Sequence, residues 1–146
     1  VNQELVGRTF EKTTPYLVGR EKVREFARAV FATDPANFSV EAARQKGYAD
    51  VVAPPTFAIV VQQLTLDQLF AVDDAGLEIT HVVHGSQQFG YSRPIVAGDE
   101  LTAQLTVTSI KSLGGNAMLT AETAVHDAQG EHVVTATSTL VVRGDA

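Results

Sequence analysis

The centre of the chain is apolar on every side and then becomes two-faced. Residues 57–61 read Phe-Ala-Ile-Val-Val, after which Leu64, Leu66, Leu69 and Phe70 are interspersed with Gln62, Gln63, Asp67 and Gln68. Pro54 and Pro55 stand immediately before this run. Proline suits a first helical turn, where its missing N–H would be unpaired anyway. The β-branched Ile59-Val60-Val61 would also suit a strand. Length and the proline start instead predict a helix over 55–70, about 24 Å long at 1.5 Å per residue. Its first two turns, apolar all round, predict enclosure rather than packing on one side. Upstream, Thr-Thr-Pro-Tyr-Leu-Val at 13–18 predicts a short strand that Pro15 confines to an edge or a start. Residues 20–32 predict an amphipathic helix with Val23, Phe26, Ala27, Val30 and Phe31 on one face and Glu21, Arg24, Glu25 and Arg28 on the other. Pro35 stops it. Ser39 is placed to cap a short helix through Glu41 and Arg44, with Gly47 suited to its far end.

Beyond the loop at Asp73, Asp74 and Gly76 the period changes to two. Residues 81–91 read as a strand closed by Arg93-Pro94. Leu101, Ala103, Leu105 and Val107 alternate with Thr102, Gln104, Thr106 and Thr108, and 119–125 and 133–142 repeat the alternation. Gly114-Gly115-Asn116 and Asp127-Ala128-Gln129-Gly130 supply turn chemistry between antiparallel neighbours. A helix-rich first half followed by a β-meander predicts an α+β domain whose antiparallel sheet curls round the long central helix, the hot-dog fold. Residues 1–146 read as one such domain, without repeats or a linker.

Composition works by exclusion. The 146 residues are 45% hydrophobic and 19% charged, ordinary for a soluble globular domain. A net charge of −6 with no basic run argues against nucleic-acid binding. With no cysteine, disulfides and thiolate chemistry are absent. The N-terminus shows no signal-peptide pattern and no apolar stretch reaches membrane-spanning length, so a cytoplasmic location and no membrane partner are expected.

Four segments carry a family likeness: Gly-Arg-Glu-Lys-Val-Arg-Glu-Phe-Ala at 19–27, Val-Val-Ala-Pro-Pro-Thr-Phe at 51–57, Val-His-Gly-Ser-Gln-Gln-Phe at 83–89 and Tyr-Ser-Arg-Pro-Ile-Val-Ala-Gly-Asp at 91–99. In their order and spacing the chain resembles the MaoC-like dehydratase and (R)-specific enoyl-thioester hydratase family. It looks especially like the small actinobacterial branch that includes the dehydratase subunits of mycolic acid synthesis. The resemblance implies a hot-dog dimer and an acyl chain carried on CoA or acyl carrier protein as ligand, with no other cofactor. Active members carry Asp-x-Asn-Pro-x-His after the first amphipathic helix, where Asp and His jointly activate the water that adds to, or leaves, the β-carbon. Anchored on Pro35, the matching segment puts Ala32 at the Asp position and Asn37 at the His position. Alanine cannot accept a proton, and an asparagine amide does not titrate near neutral pH. An offset that makes Asp34 the carboxylate puts Ser39 at the His position and loses the proline register; a turn or cap role suits Asp34 as well. Relatives also use a glycine N–H near the start of the central helix to hold the thioester oxygen. Here Pro55 has no N–H, which leaves the Thr56 or Phe57 amide.

The remaining candidates weigh less. His81 and His84, three apart on a strand, would point to opposite faces and not share a metal. His84 is a weak catalytic candidate beside Asp34; His126 and His132 flank a hairpin turn and read as solvated. Phe89 and Tyr91 share a strand face. Pro55, Thr56, Phe57, Val60, Val61, Leu64 and Phe89 are the candidates for acyl contact, with plain core packing as the alternative. Taken together, these features predict an acyl-thioester-binding hot-dog protein, the substrate-holding subunit of an (R)-3-hydroxyacyl-thioester dehydratase or hydratase. A heterodimer with a catalytic hot-dog subunit, or a homodimer, would complete it. An active homodimeric hydratase or thioesterase, and a non-enzymatic acyl-CoA-binding module, stay open.

Overall fold

The computed structural model describes residues 1–144. Five antiparallel strands form one curled sheet in the order β1-β3-β4-β5-β2, and the long helix α3 lies in its concave face. The elements run β1 (Tyr16–Leu17), α1 (Arg20–Ala29), α2 (Val40–Gln45), α3 (Ala58–Phe70), β2 (Val82–Tyr91), β3 (Glu100–Leu113), β4 (Asn116–His126) and β5 (His132–Val142). This is the hot-dog arrangement that the pattern predicts. Among the described residues no helix is long and apolar enough to cross a membrane.

Local chemistry explains most boundaries. Gly114 and Gly115, both at positive φ, close a two-residue hairpin in which Leu113 pairs with Asn116. The Ser39 hydroxyl accepts the Ala42 amide at the start of α2. At its end Gly47 takes φ 92°, with Tyr48 N–H to Ala43 O and Gly47 N–H to Arg44 O, a Schellman closure. The strand expected over 13–18 shrinks to Tyr16–Leu17, because Pro15 cannot donate to a ladder.

Helix α1 ends at Ala29, three residues before the expected end at 32. It closes with the same motif as α2: Ala32 N–H meets Ala27 O and Phe31 N–H meets Arg28 O. Phe31 therefore sits at the left-handed position (φ 58°) that glycine normally fills. The reversal turns Val30 and Phe31 out of the predicted apolar face, leaving Phe31 89% exposed, whereas Val23 and Ala27 stay buried.

The central helix also differs from expectation. Its first turn, Pro55–Phe57, is 3-10, and the α-helical turns after it are buried on one side only. That side carries Ala58, Val61, Gln62, Thr65, Leu66 and Leu69; Val60 is half-buried and Leu64 is 38% exposed. One chain's sheet covers one face of the helix, so the all-round enclosure predicted from the apolar pattern is absent within a single chain. Two apolar clusters flank the middle of the helix. One gathers Phe57, Ala58 and Val61 with Val18, Leu101 and Val134, the other Leu66 and Leu69 with Leu105, Leu119 and Leu140. Between them runs a buried polar seam. Gln62 Nε2 donates to Ser138 Oγ (2.8 Å) and Ala136 O (3.3 Å), Gln87 Nε2 donates to Gln62 Oε1 (2.9 Å), and the Thr65 and Thr123 hydroxyls pair at 2.8 Å.

Two substitutions test this packing. Gln62→Leu adds apolar surface but removes the donor to Ser138 Oγ and Ala136 O and the 2.9 Å acceptor of Gln87 Nε2; an unpaired buried polar group costs about 1–3 kcal/mol. Urea denaturation should therefore show a less stable protein, and an unchanged midpoint would mean that the seam is not satisfied as described. Phe31→Gly removes a left-handed penalty of roughly 1–2 kcal/mol against the extra backbone entropy of glycine. Its expected effect is a gain of about 0.5–1 kcal/mol in the same assay.

Candidate functional site

A cleft of about 520 Å³ opens where three segments meet: the turn after α1 (Asp34, Asn37), the entry to α3 (Val52, Ala53, Pro55), and the exit of β2 (Tyr91 to Pro94). Each wall is held by a directed interaction. Asn37 Nδ2 donates to Val52 O (2.7 Å) and Val52 N–H donates to Ala36 O (2.9 Å), tying the turn to the helix entry. Arg93 donates to both Asp99 oxygens (2.8 and 3.1 Å) and to Asp127 Oδ2 (3.0 Å), joining the β2 exit to the β4–β5 hairpin. With two carboxylates against it, this guanidinium is a strut rather than a free cation for a ligand phosphate. It also holds the Asp127 carboxyl below the usual range, helped by the Glu131 amide.

The segment matched to the family's acid–base motif lies at this cleft. Ala32 is half-buried and offers only a methyl group. Asn37 is buried, and its amide nitrogen is committed to Val52. Asp34 caps the turn by accepting the Ala36 amide (2.9 Å), the cap role weighed for it. It also pairs with Lys46, both oxygens at 2.9 Å. The Lys46 hydrogen bond, then the Ala36 amide, hold its carboxyl below the usual carboxylate range. A carboxylate held that way is a weak proton acceptor at neutral pH.

At the helix start, the Phe57 amide is spent on Pro54 O (2.9 Å), so Thr56 N–H is the remaining backbone candidate for a thioester oxygen. The Tyr91 hydroxyl donates to Pro55 O. Burial pushes this phenol up to about 12, with the Ala58 amide opposing. Of the seven acyl-contact candidates, Pro55 lines the cleft and Thr56 is exposed beside it, whereas Phe57 and Val61 are fully buried core. Phe89 is half-buried against the same cluster, 6.4 Å from the Tyr91 ring, and borders a separate shallow groove with Gln88 and Thr135.

The histidines depart from expectation. His81 belongs to a 3-10 turn before β2 and not to the strand. In β2 a register shift between His84 and Ser86 breaks the alternation. His84 consequently shares a face with Gln87, Nε2 to Oε1 2.9 Å. His132 is not solvated. It is half-buried, with Nδ1 at 2.6 Å from Ser92 Oγ, Nε2 at 2.7 Å from Thr135 Oγ1, and its ring edge-on to His126. Among the described residues no three His, Asp or Glu side chains gather to hold a metal ion.

Residues 4–136 match the family model described as FAS1-like, dehydratase domain region. The chain belongs to this dehydratase family. A UPF0336 protein of Leifsonia xyli subsp. xyli is 63% identical over 145 residues, which cover 99% of this chain and 97% of that protein. Among solved structures, the C-terminally truncated HadBC (3R-hydroxyacyl-ACP dehydratase) complex of Mycobacterium tuberculosis contains a chain 35% identical to this one. Its TM-score is 0.84, and the match covers 94% of this chain and 96% of that one. A MaoC-like dehydratase superposes with TM-score 0.86 at 35% identity, with 97% of this chain matching 43% of that longer one. The chain thus shares the fold of these dehydratases, while the positions at which the sequence resemblance places the acid–base pair hold Ala32 and Asn37.

Sequence reasoning missed Tyr91 and Arg93 as walls of the cleft. Their signals were the family-like segment 91–99 that holds both, and position: Arg93 and Asp99 bracket a Pro-containing turn, and Tyr91 ends an edge strand. The Tyr91 phenol carries a linkage prediction. Its folded value of about 12 lies above the roughly 10 of an unfolded tyrosine. Its contribution is full below about 10 and is lost as pH rises toward 12. Stability measured at pH 8 and again near pH 11.5 should fall in the wild type and fall less in Tyr91→Phe. Equal losses in the two proteins would place the alkaline transition elsewhere.

Proposed function

We propose that this chain is the substrate-holding subunit of a two-subunit (R)-3-hydroxyacyl-thioester dehydratase or hydratase, working on an acyl-CoA or acyl-carrier-protein thioester in the cytoplasm. The observation that carries this reading is a well-built cleft without a proton-transfer pair. Ala32 has no acid–base group, Asn37 is spent on Val52 O, and Asp34 is spent on Lys46 and a cap. The partner is a second hot-dog subunit supplying Asp and His, paired along β2. The likeness to a chain of the HadBC complex supports that assembly. So does the strand itself, a ten-residue edge with no charge or proline to discourage pairing. Water addition to an enoyl thioester needs a base for the water, an acid for the α-carbon and donors for the enolate oxygen. This chain contributes the last at most, through Thr56 N–H, together with the walls of the acyl path.

Positioned acid–base catalysis typically contributes about 10²–10⁴-fold. The purified chain should therefore hydrate crotonyl-CoA at least about 10²-fold more slowly alone than with a hot-dog subunit that carries the Asp-x-Asn-Pro-x-His motif. Calorimetry should still show thioester binding by the chain alone. Robust turnover by the chain alone, abolished by Asp34→Asn, would make Asp34 the catalytic carboxylate and the chain an enzyme in its own right. Absence of both turnover and binding, with and without such a subunit, would sink the acyl-thioester reading.

A further inference from the structure

The polar seam does more than fill the core: it gives a surface histidine a fixed polarity. The Ala136 carbonyl can only accept, so the end of Gln62 facing it is the amide nitrogen. Gln62 Oε1 then has to accept from Gln87 Nε2 (2.9 Å). That orients Gln87 Oε1 toward the Ser138 hydroxyl, which donates to it, and toward His84 Nε2 at 2.9 Å. An amide oxygen cannot donate, so the Nε2 of His84 carries the proton. The neutral ring is left with an open lone pair on Nδ1, which has no partner among the described residues. The chain of constraints runs from a backbone carbonyl in the core to one nitrogen on an exposed edge. The β2 bulge is what lets His84 join it, since unbroken alternation would send His84 and Gln87 to opposite faces.

That edge is the one proposed above to pair with a hot-dog partner, which carries the same strand. Antiparallel pairing of Val82–Tyr91 along its whole length, about a two-fold axis, sets position 82 opposite position 91 and position 84 opposite position 89. Both members of each pair face the helix side: Val82 and Phe89 pack against the apolar clusters, and His84 reaches Gln87 there. Directly opposed side chains have Cβ atoms about 4.5–5.5 Å apart, and diagonal ones about 7–8 Å. His84 thereby arrives beside the partner's equivalents of Phe89 and Tyr91, at the mouth of the partner's cleft.

We infer that His84 is a positioning residue acting across the subunit boundary, accepting at Nδ1 a hydrogen bond from a donor of the acyl thioester bound in the partner's cleft. The inference rests on the acyl-thioester reading and the pairing proposed above. Two donors have the right chemistry, the 3-hydroxyl of the acyl chain and an amide N–H of the thioester arm.

Nitrogen-15 spectra of the histidine rings in the chain should show His84 as the Nε2–H tautomer, and Gln87→Leu should release that preference. In the complex with the hot-dog partner, His84→Phe should weaken binding of a 3-hydroxyacyl-CoA about tenfold. His84→Gln, which keeps an acceptor, should restore most of the loss with no change in melting temperature. A loss confined to the 3-hydroxyacyl-CoA identifies the hydroxyl as donor; an equal loss with the saturated acyl-CoA identifies the arm. An Nδ1–H tautomer, or wild-type affinity in His84→Phe, would overturn the inference while leaving the acyl-thioester reading intact. A wild-type complex that binds neither thioester removes that reading, and this inference with it.

Discussion

The structure depends on how one helix is seated in one sheet. Hydrophobic contact is non-directional, and α3 could slide or rotate against an apolar sheet at modest cost. The Gln62 and Thr65 hydrogen bonds to Ser138, Gln87 and Thr123 remove that freedom, because every other seating leaves buried polar groups unpaired. The seam lies between two apolar clusters, so burial supplies the driving force on both sides and the hydrogen bonds supply the register. Once the helix is seated, its Pro55–Phe57 entry lies where β2 ends, and the cleft forms between them.

The cleft walls hold residues with a structural task where the resemblance places acid–base chemistry. At position 37 an asparagine donates to Val52 O and helps the Ala36–Val52 bond hold the turn against the helix entry. A histidine there would have a titratable ring nitrogen to offer water; the asparagine amide does not titrate near neutral pH. Arg93, neutralised by Asp99 and Asp127, plays the corresponding part on the opposite wall. Both walls are held rigid, which suits a site that orients a ligand more than one that exchanges protons.

The fold was largely legible because its signals are local and redundant. Alternation in β3, β4 and β5, the Gly114-Gly115 turn and the proline start of α3 each point to the same architecture. Other features were not legible, for identifiable reasons. Gln62 and Thr65 are polar by residue type, yet they are buried, because their side-chain partners lie 25–76 residues away in the chain. Phe31 reads as a core residue by helical spacing, but a left-handed backbone reverses the chain beneath it. His81 and His84 do not share a strand because His81 lies in the 3-10 turn before β2, and no residue pattern announces the bulge that sets His84 on the face of Gln87. His132 has the sequence context of a turn, but the Ser92 and Thr135 hydroxyls bond both of its ring nitrogens. In the candidate site, the departures at Ala32 and Asn37 were visible by resemblance. That Asn37 and Asp34 already have other partners was visible only in three dimensions.

One misreading is instructive about assembly. The apolar stretch 57–61 predicted a helix enclosed on all sides, whereas a single chain buries one side and leaves Val60 half-buried and Leu64 exposed. The sheet cannot supply the missing cover, since its five strands are used and β2 is its edge. Val83, on that edge, is also 47% exposed. The sheet's two edges are unlike. β1 is two residues long and comes directly after a proline, which blocks extension, while β2 offers ten residues without charge or proline. On the pairing proposed here, a second subunit added along β2 continues the sheet past Val83 and brings a second helix toward the Val60 and Leu64 side. The enclosure encoded by residues 57–61 then belongs to the pair, and the sequence pattern and the single-chain structure cease to conflict.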